Sequence, residues 1–337
     1  MMLTKTFIIG RRLGRRQLTQ GLVAAALMLS GAGFAAAQSF PEREIRLVVP
    51  FAPGGTNDSV ARIVAESAQK ELGVPIVIEN KPGGASNTGT AYVAEAEPDG
   101  YTLLIQSDTL TTNPIVYPNA GYDARESFAP VAMVARVPVV LAVRKDLEVQ
   151  TIEEFVELLR QRPGEVTVGT PSVGGGNHLT GLLFRDRMKL DWVDVPYPGA
   201  GPAVTDLVGG HVDAMWSMAA SLMTHQESGA IRVLAVSTPE RSPFLPDAPT
   251  VAESTELKDF AVENWQGIFA PAGTPPEVLD KLTKAFIAGA SDPAAQERLR
   301  GLGMEPAAEE PDVLRNEIET STPRWESVVK ANSISVQ

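Results

Sequence analysis

The chain has 337 residues, 44% hydrophobic and 21% charged, with 29 Lys plus Arg against 41 Asp plus Glu and a formal net charge of −12. That acidic balance disfavours nucleic acid and anionic membranes as partners. The absence of Cys excludes a disulfide framework, thiolate catalysis and Cys-ligated metals, so stability has to come from core burial.

Residues 1–37 read as a secretory signal. Lys5, Arg11, Arg12, Arg15 and Arg16 precede an apolar run over 22–29 and the small residues Ala35-Ala36-Ala37, an A-x-A pattern with cleavage expected after Ala37. The apolar run is far shorter than the roughly 20 residues that span a bilayer. Arg15-Arg16-Gln17-Leu18 fits the twin-arginine route, and the general secretory route accommodates the same basic residues. Removing five cations and no acids leaves 24 − 41 = −17. An anionic ligand would then be held by local donors against the global field, and backbone N–H groups at helix starts are the candidates.

The mature chain opens with a strand over 45–50, then the turn Pro53-Gly54-Gly55-Thr56-Asn57-Asp58 and a helix whose apolar face is Val60, Ile63, Val64, Ala68 and Leu72. A strand over 75–79, a helix over 90–96 entered at Gly83-Gly84, and a strand over 101–106 ending at Ser107-Asp108-Thr109 follow. This β-α-β-α-β series predicts a largely parallel sheet with helices on both faces. The apolar stretch 131–143, punctuated by Pro138, is too long for one short strand and reads as a crossing between two domains. The pattern restarts with helix 152–160, strand 166–169, helix 179–188, strand 192–196, helix 203–208, strand 214–218, a short helix near His225 and strand 233–237. Residues 265–270 read as the return crossing, and helices over 275–290, 293–302 and 311–329 are expected to pack on the first lobe. The expected division is 38–138 plus 266–337 for lobe 1 and 139–265 for lobe 2.

Three glycine-rich turns lead from strand to helix: Pro53-Gly54-Gly55, Gly174-Gly175-Gly176-Asn177-His178 and Gly199-Ala200-Gly201-Pro202. They lie in two lobes at the carboxyl ends of strands, where open α/β sheets bind ligands, and free N–H groups at such turns suit a carboxylate. There is no G-x-x-x-x-G-K-[ST] and no G-x-S-x-G, and Val204 stands where a dinucleotide fingerprint needs its third glycine. His178, His211 and His225 lack metal-pair spacing, so no metal and no cofactor is expected. Trp192, Trp216 and Trp265 sit in strand-like runs and read as core. Tyr197, at a strand end, is placed to turn its hydroxyl to the cleft.

Val48-Val49-Pro50-Phe51 running into Pro53-Gly54-Gly55, then Glu79-Asn80-Lys81-Pro82-Gly83-Gly84 and Pro98-Asp99-Gly100-Tyr101-Thr102-Leu103-Leu104, form an ordered series of blocks. It continues through Val195-Pro196-Tyr197, Gly199-Ala200-Gly201-Pro202-Ala203, Gly209-Gly210-His211-Val212-Asp213 and Ala270-Pro271-Ala272-Gly273-Thr274-Pro275. Over nearly the whole mature chain this resembles the tripartite tricarboxylate transporter periplasmic solute-binding proteins, the Bug family. The resemblance implies a two-lobed α/β periplasmic binding fold, type II-like, with two domains joined by two crossing segments. It implies a monomer, not an enzyme, that captures a small di-, tri- or aromatic carboxylate in the periplasm and delivers it to the large and small membrane subunits of an ion-driven transporter. By the same resemblance Gly54, Gly55, Thr56 and Asn57 form one jaw with Ser107 and Asp108 beside it, and Thr170, Gly174, Gly175 and His178 form the other with Tyr197 and Gly201. Pro198 and Ser217 depart from residues that are basic and acidic in many relatives. A missing carboxylate at Ser217 argues against an amino-acid ligand, so the ligand body is expected to be uncharged or purely carboxylate. The competing readings are a ligand-presenting partner of a sensor kinase and a periplasmic hydrolase using Ser107, Asp108 or His178.

Overall fold

The apolar runs form one ten-stranded mixed sheet in the computed structural model, which describes residues 40–334; the export signal expected over 1–37 lies outside the described residues. The strands are β1 (Ile45–Val49), β2 (Ile76–Asn80), β3 (Thr102–Ser107), β4 (Phe128–Arg144), β5 (Thr167–Thr170), β6 (Val193–Pro196), β7 (Ala214–Met218), β8 (Ile231–Val236), β9 (Glu263–Pro271) and β10 (Glu305–Glu309). The first helices are α1 (Thr56–Leu72), α2 (Asn87–Ala94), α3 (Thr109–Val116), α4 (Ile152–Gln161), α5 (Gly176–Met188) and α6 (Ala200–Gly209). They are followed by α7 (Met223–Glu227), α8 (Val251–Ser254), α9 (Pro276–Ser291), α10 (Pro293–Gly301) and α11 (Pro311–Ala331). Helix α3 and strand β10 were not expected, because Pro114 and Pro306 interrupt their patterns.

The strand order is β2-β1-β3-β9-β4-β7-β5-β6, with β8 and β10 also paired to β4. Each end of the sheet is a parallel trio, β2-β1-β3 and β7-β5-β6. The strands between them run antiparallel. The parallel expectation therefore holds for the βαβ units and fails for the crossings. Strand β4 is a single run of 17 residues that changes partner midway. It pairs with β9 from Phe128 to Pro138 and with β7 from Val139 to Val143. Pro138, which has no N–H to give to a ladder, stands at the changeover.

Alternation along β4 feeds two cores. Val139, Leu141 and Val143 meet Phe155, Phe184 and Trp216 on one face, while Val140 and Ala142 meet Leu207 and Met215 on the other. A third core gathers Val48, Leu104, Phe128, Met133, Trp265 and Phe269 around the first trio. Trp192, Trp216 and Trp265 are all buried in these cores, as their strand positions imply. The last helix departs from the packing expected of it. At 21 residues and about 1.5 Å per residue, α11 is about 31 Å long. Its Leu314 and Ile318 reach the first core, while Trp325, Val328 and Val329 reach the core around Phe184. Pro323 lies between those two groups.

Candidate functional site

A cleft of about 270 Å³ is lined by Phe51, Gly55, Thr56, Asn57, Ser107, Asp108 and Thr109 from the first half of the sheet and by Ser172, Gly175, Gly176, Asn177 and Met218 from the second, with Asn264 on the return crossing. Two turns dominate it, and they share one backbone conformation. Gly54 and Gly174 have φ of 84° and 77°, the left-handed region open to glycine. Each is followed by an extended N-cap glycine, Gly55 (φ −77°, ψ 175°) and Gly175 (φ −75°, ψ 162°), before α1 and α5. In each turn the side chain four residues on accepts the N–H of the left-handed glycine. Asp58 Oδ2 takes that of Gly54 at 2.9 Å and His178 Nδ1 that of Gly174 at 3.0 Å.

These braces leave the helix starts without any side-chain cap. The first-turn N–H groups of a helix have no partner within it and carry its positive end, so both turns offer donors to an anion between them. Asn57 adds a buried Nδ2 that has no hydrogen-bond partner. The braces are electrically different. Asp58 is held down to about 2 chiefly by its hydrogen bonds with Arg62, helped by Gly54 and Asn80. His178 is pushed below its ordinary value by burial, which keeps the ring neutral and Nδ1 an acceptor.

Asp58→Asn should lower the unfolding free energy at neutral pH by about 1.5 kcal/mol, the low end for hydrogen bonds to a charged group, since Arg62 is half exposed. The Asp58 carboxyl is depressed in the folded state, so its contribution is present above the unfolded value of 3.8 and fades as pH falls through about 2. Urea melts at neutral pH and near pH 2 check this; a deficit of equal size at both would mean lost packing rather than lost charge.

The end of β3 is held by a buried network. Gln106 Oε1 accepts from the Ser107 N–H at 2.8 Å and from Thr109 Oγ1 at 2.9 Å, while its Nε2 donates to Thr90 Oγ1 at 2.9 Å and Ser86 Oγ at 3.2 Å. Ser107 and Thr109 hydroxyl oxygens lie 3.0 Å apart. Asp108 stands at the start of α3 without a side-chain capping bond and is buried, with Oδ2 lacking any hydrogen-bond partner. Across the cleft, Asn264 Nδ2 donates to Asn177 Oδ1 at 3.2 Å.

Of the residues singled out in the sequence, Gly55, Thr56, Asn57, Ser107, Asp108 and Gly175 come together here. Gly54, Gly174 and His178 shape the turns from behind. Thr170 is buried with its hydroxyl 3.4 Å from Asp194. Tyr197 does not turn its hydroxyl to the cleft; it donates to Asp206 Oδ2 at 2.7 Å. Gly201 is exposed at the start of α6, after β6, the edge strand, one strand further out than the cleft. Ser217 is fully buried with its hydroxyl 3.1 Å from that of Ser221, and its neighbour Met218 lines the cleft instead. The premise that the cleft lacks a carboxylate is therefore corrected, since Asp108 supplies one.

Phe51, Ser172, Met218 and Asn264 were not among the candidates, while Thr109 in the polar run after β3 and Gly176 and Asn177 in the second glycine turn were read as part of those segments without being singled out as contacts. Laying Gly54-Gly55-Thr56-Asn57 on Gly174-Gly175-Gly176-Asn177 would have found Gly176 and Asn177. A larger open groove of about 860 Å³ runs along residues 84–91 and 117–121. No charged side chain lines it and none of the partnerless buried polar atoms does, whereas the cleft has Asp108 Oδ2 and Asn57 Nδ2.

The family model described as "Tripartite tricarboxylate transporter family receptor" matches residues 60–334. The protein BugT of Bordetella pertussis is 34% identical over 318 residues, covering 93% of this chain and 97% of its own. The solved periplasmic binding protein BugD is 37% identical with a TM-score of 0.71, covering 88% of this chain and 100% of its own. The solved R. palustris protein Rpa4515 with adipate is 35% identical with a TM-score of 0.74, covering 88% of this chain and 99% of its own. No described helix is long and apolar enough to cross a membrane. The family match over residues 60–334 and a 34% identical relative covering nearly the whole chain lead to one assignment: the chain belongs to the tripartite tricarboxylate transporter receptor family.

Proposed function

We propose that this chain is a periplasmic receptor that closes on a small organic carboxylate and hands it to the membrane subunits of a tripartite transporter. The observation that carries this is the pair of uncapped glycine turns facing each other across the cleft. The jaws are Gly54, Gly55, Thr56 and Asn57 on one lobe and Gly174, Gly175, Gly176 and Asn177 on the other. The lobes are 38–138 with 266–337, and 139–265, with the end of α11 from Trp325 reaching over to the second, and they bend where β4 changes partner near residues 137–141 and where β9 returns. Adipate on a relative with 35% identity supports the carboxylate class. A hydrolase reading has no support at Ser107, whose hydroxyl meets Thr109 and Gln106, and no histidine lines the cleft.

A thermal-shift screen of aliphatic and aromatic mono-, di- and tricarboxylates tests the reading. Ligand at about a hundred times its Kd should stabilise the protein by about 2.7 kcal/mol. Gly55→Asp should remove that shift while the unliganded Tm holds, because a Cβ there meets only Ala52 O at 3.5 Å, an ordinary contact. The new carboxylate would repel an anion at the turn. No shift with any acid, or an undiminished shift in the variant, overturns the assignment.

A further inference from the structure

The lining of the cleft is uneven in charge. It contains amides, hydroxyls, glycines, Phe51 and Met218, but no Lys, Arg or His. Its one ionisable side chain is Asp108, buried with Oδ2 turned to Gly176 and without a donor. Burial pushes this carboxyl up to about 7, and Glu317 on α11 acts on it in the same direction. Ser107 lends the carboxyl a hydrogen bond, but a buried carboxylate oxygen left without a donor is costly, so Oδ2 wants a proton of its own or a donor from the ligand.

The two jaws present donors, and Asp108 presents an acceptor. A ligand with two ionised carboxylates would set the second against Asp108 with no cation in the lining to offset either. A ligand whose body carries an N–H or O–H satisfies both sides of the cleft at once. We propose that Asp108 is a specificity-determining residue, and that the ligand is a carboxylic acid bearing a hydrogen-bond donor, an ammonium or a hydroxyl, in place of a second ionised carboxylate. This rests on the carboxylate-receptor reading above, and it reverses the expectation of a purely carboxylate ligand body drawn from Ser217. It also separates this chain from the relative solved with adipate, which has no such donor in its carbon chain.

The test is calorimetric titration of the purified chain above pH 7 with short straight-chain acids in four forms: unsubstituted, hydroxyl-bearing, ammonium-bearing and with a second carboxylate. The proposal requires a hydroxyl or ammonium form to bind at least about tenfold tighter than the matched unsubstituted acid and diacid. Asp108→Leu, which removes the acceptor at nearly the same size, should erase that advantage over the unsubstituted acid, and Asp108→Asn, which keeps an acceptor but no charge, should cost an ammonium more than a hydroxyl. A diacid that binds tightest to the wild type, or a donor preference that survives Asp108→Leu, overturns the proposal and leaves the receptor reading standing. Failure of these acids and of the aromatic and tricarboxylate panel above to bind overturns the receptor reading, and this proposal with it.

Discussion

Gly176→Ala is expected to weaken ligand binding by one to two orders of magnitude while leaving the unliganded protein as stable as the wild type or slightly more so. Gly176 is the first residue of α5 and has no left-handed φ, so alanine fits the helix and gains about 0.5–1 kcal/mol there over glycine. The obstacle lies across the cleft. A Cβ at this position would overlap Asp108 Oδ2 and sit 2.8 Å from Asn264 Oδ1. Those atoms belong to the end of β3 and to the return crossing β9, so the cost falls on the close approach of the two sides of the cleft, the arrangement proposed for the ligand-bound receptor. Overpacking of this kind costs about 1–3 kcal/mol, or about 5- to 150-fold in affinity. Gly55→Ala is the control, because its Cβ meets nothing closer than 3.5 Å. Titration calorimetry and thermal unfolding of both variants decide the matter. Wild-type affinity in Gly176→Ala would mean that the halves do not approach this closely when ligand is bound.

The same residues mark the limit of what the sequence discloses. Glycine-rich turns between strand and helix are local features, so the Gly55 and Gly175 turns could be read directly, and the family blocks around them fixed the architecture. The cleft's remaining residues depend on register. Ser217 and Met218 are adjacent, and in a strand a slip of one residue moves a side chain to the opposite face; the sequence suggests the polar neighbour, and the fold puts the apolar one in the cleft. Asn264 lies in a run read as a crossing, where its approach to Asn177 is set by the pairing of β4 with β9 rather than by anything local. Gly201 shares the composition of the other turns, yet it follows the edge strand, and strand order is not written in the turn itself. The resemblance puts His178 in the second jaw; in the structure it is the counterpart of Asp58, four residues beyond a left-handed glycine whose N–H it accepts.

The proposed closure needs a crossing that is stiff on one side of its bend, and Arg136 braces β4 at that place. Its guanidinium bonds Glu263 on β9 at 2.5 Å and Glu309 on β10 at 2.7 Å, tying three strands together just before β4 reaches Pro138. All three side chains are at least two-thirds buried. Replacing Arg136 with Met keeps much of the apolar stem and leaves two carboxylates facing each other without their cation. Breaking a buried pair costs about 3–5 kcal/mol, and the partial exposure of Glu309 places the expected loss near about 3 kcal/mol at neutral pH. The pH dependence distinguishes charge from packing. Burial already raises Glu263 above its ordinary value of 4.5, and Arg136 is what opposes that rise. With Arg136 gone the folded-state value climbs further. A carboxyl raised in the folded state favours folding below the unfolded value and loses that contribution as pH rises through the folded one. The deficit of Arg136→Met should therefore be smallest near pH 4 and grow towards neutrality. Urea melts across that range check it, and a deficit that does not change with pH would show that the guanidinium stabilises the crossing by packing alone.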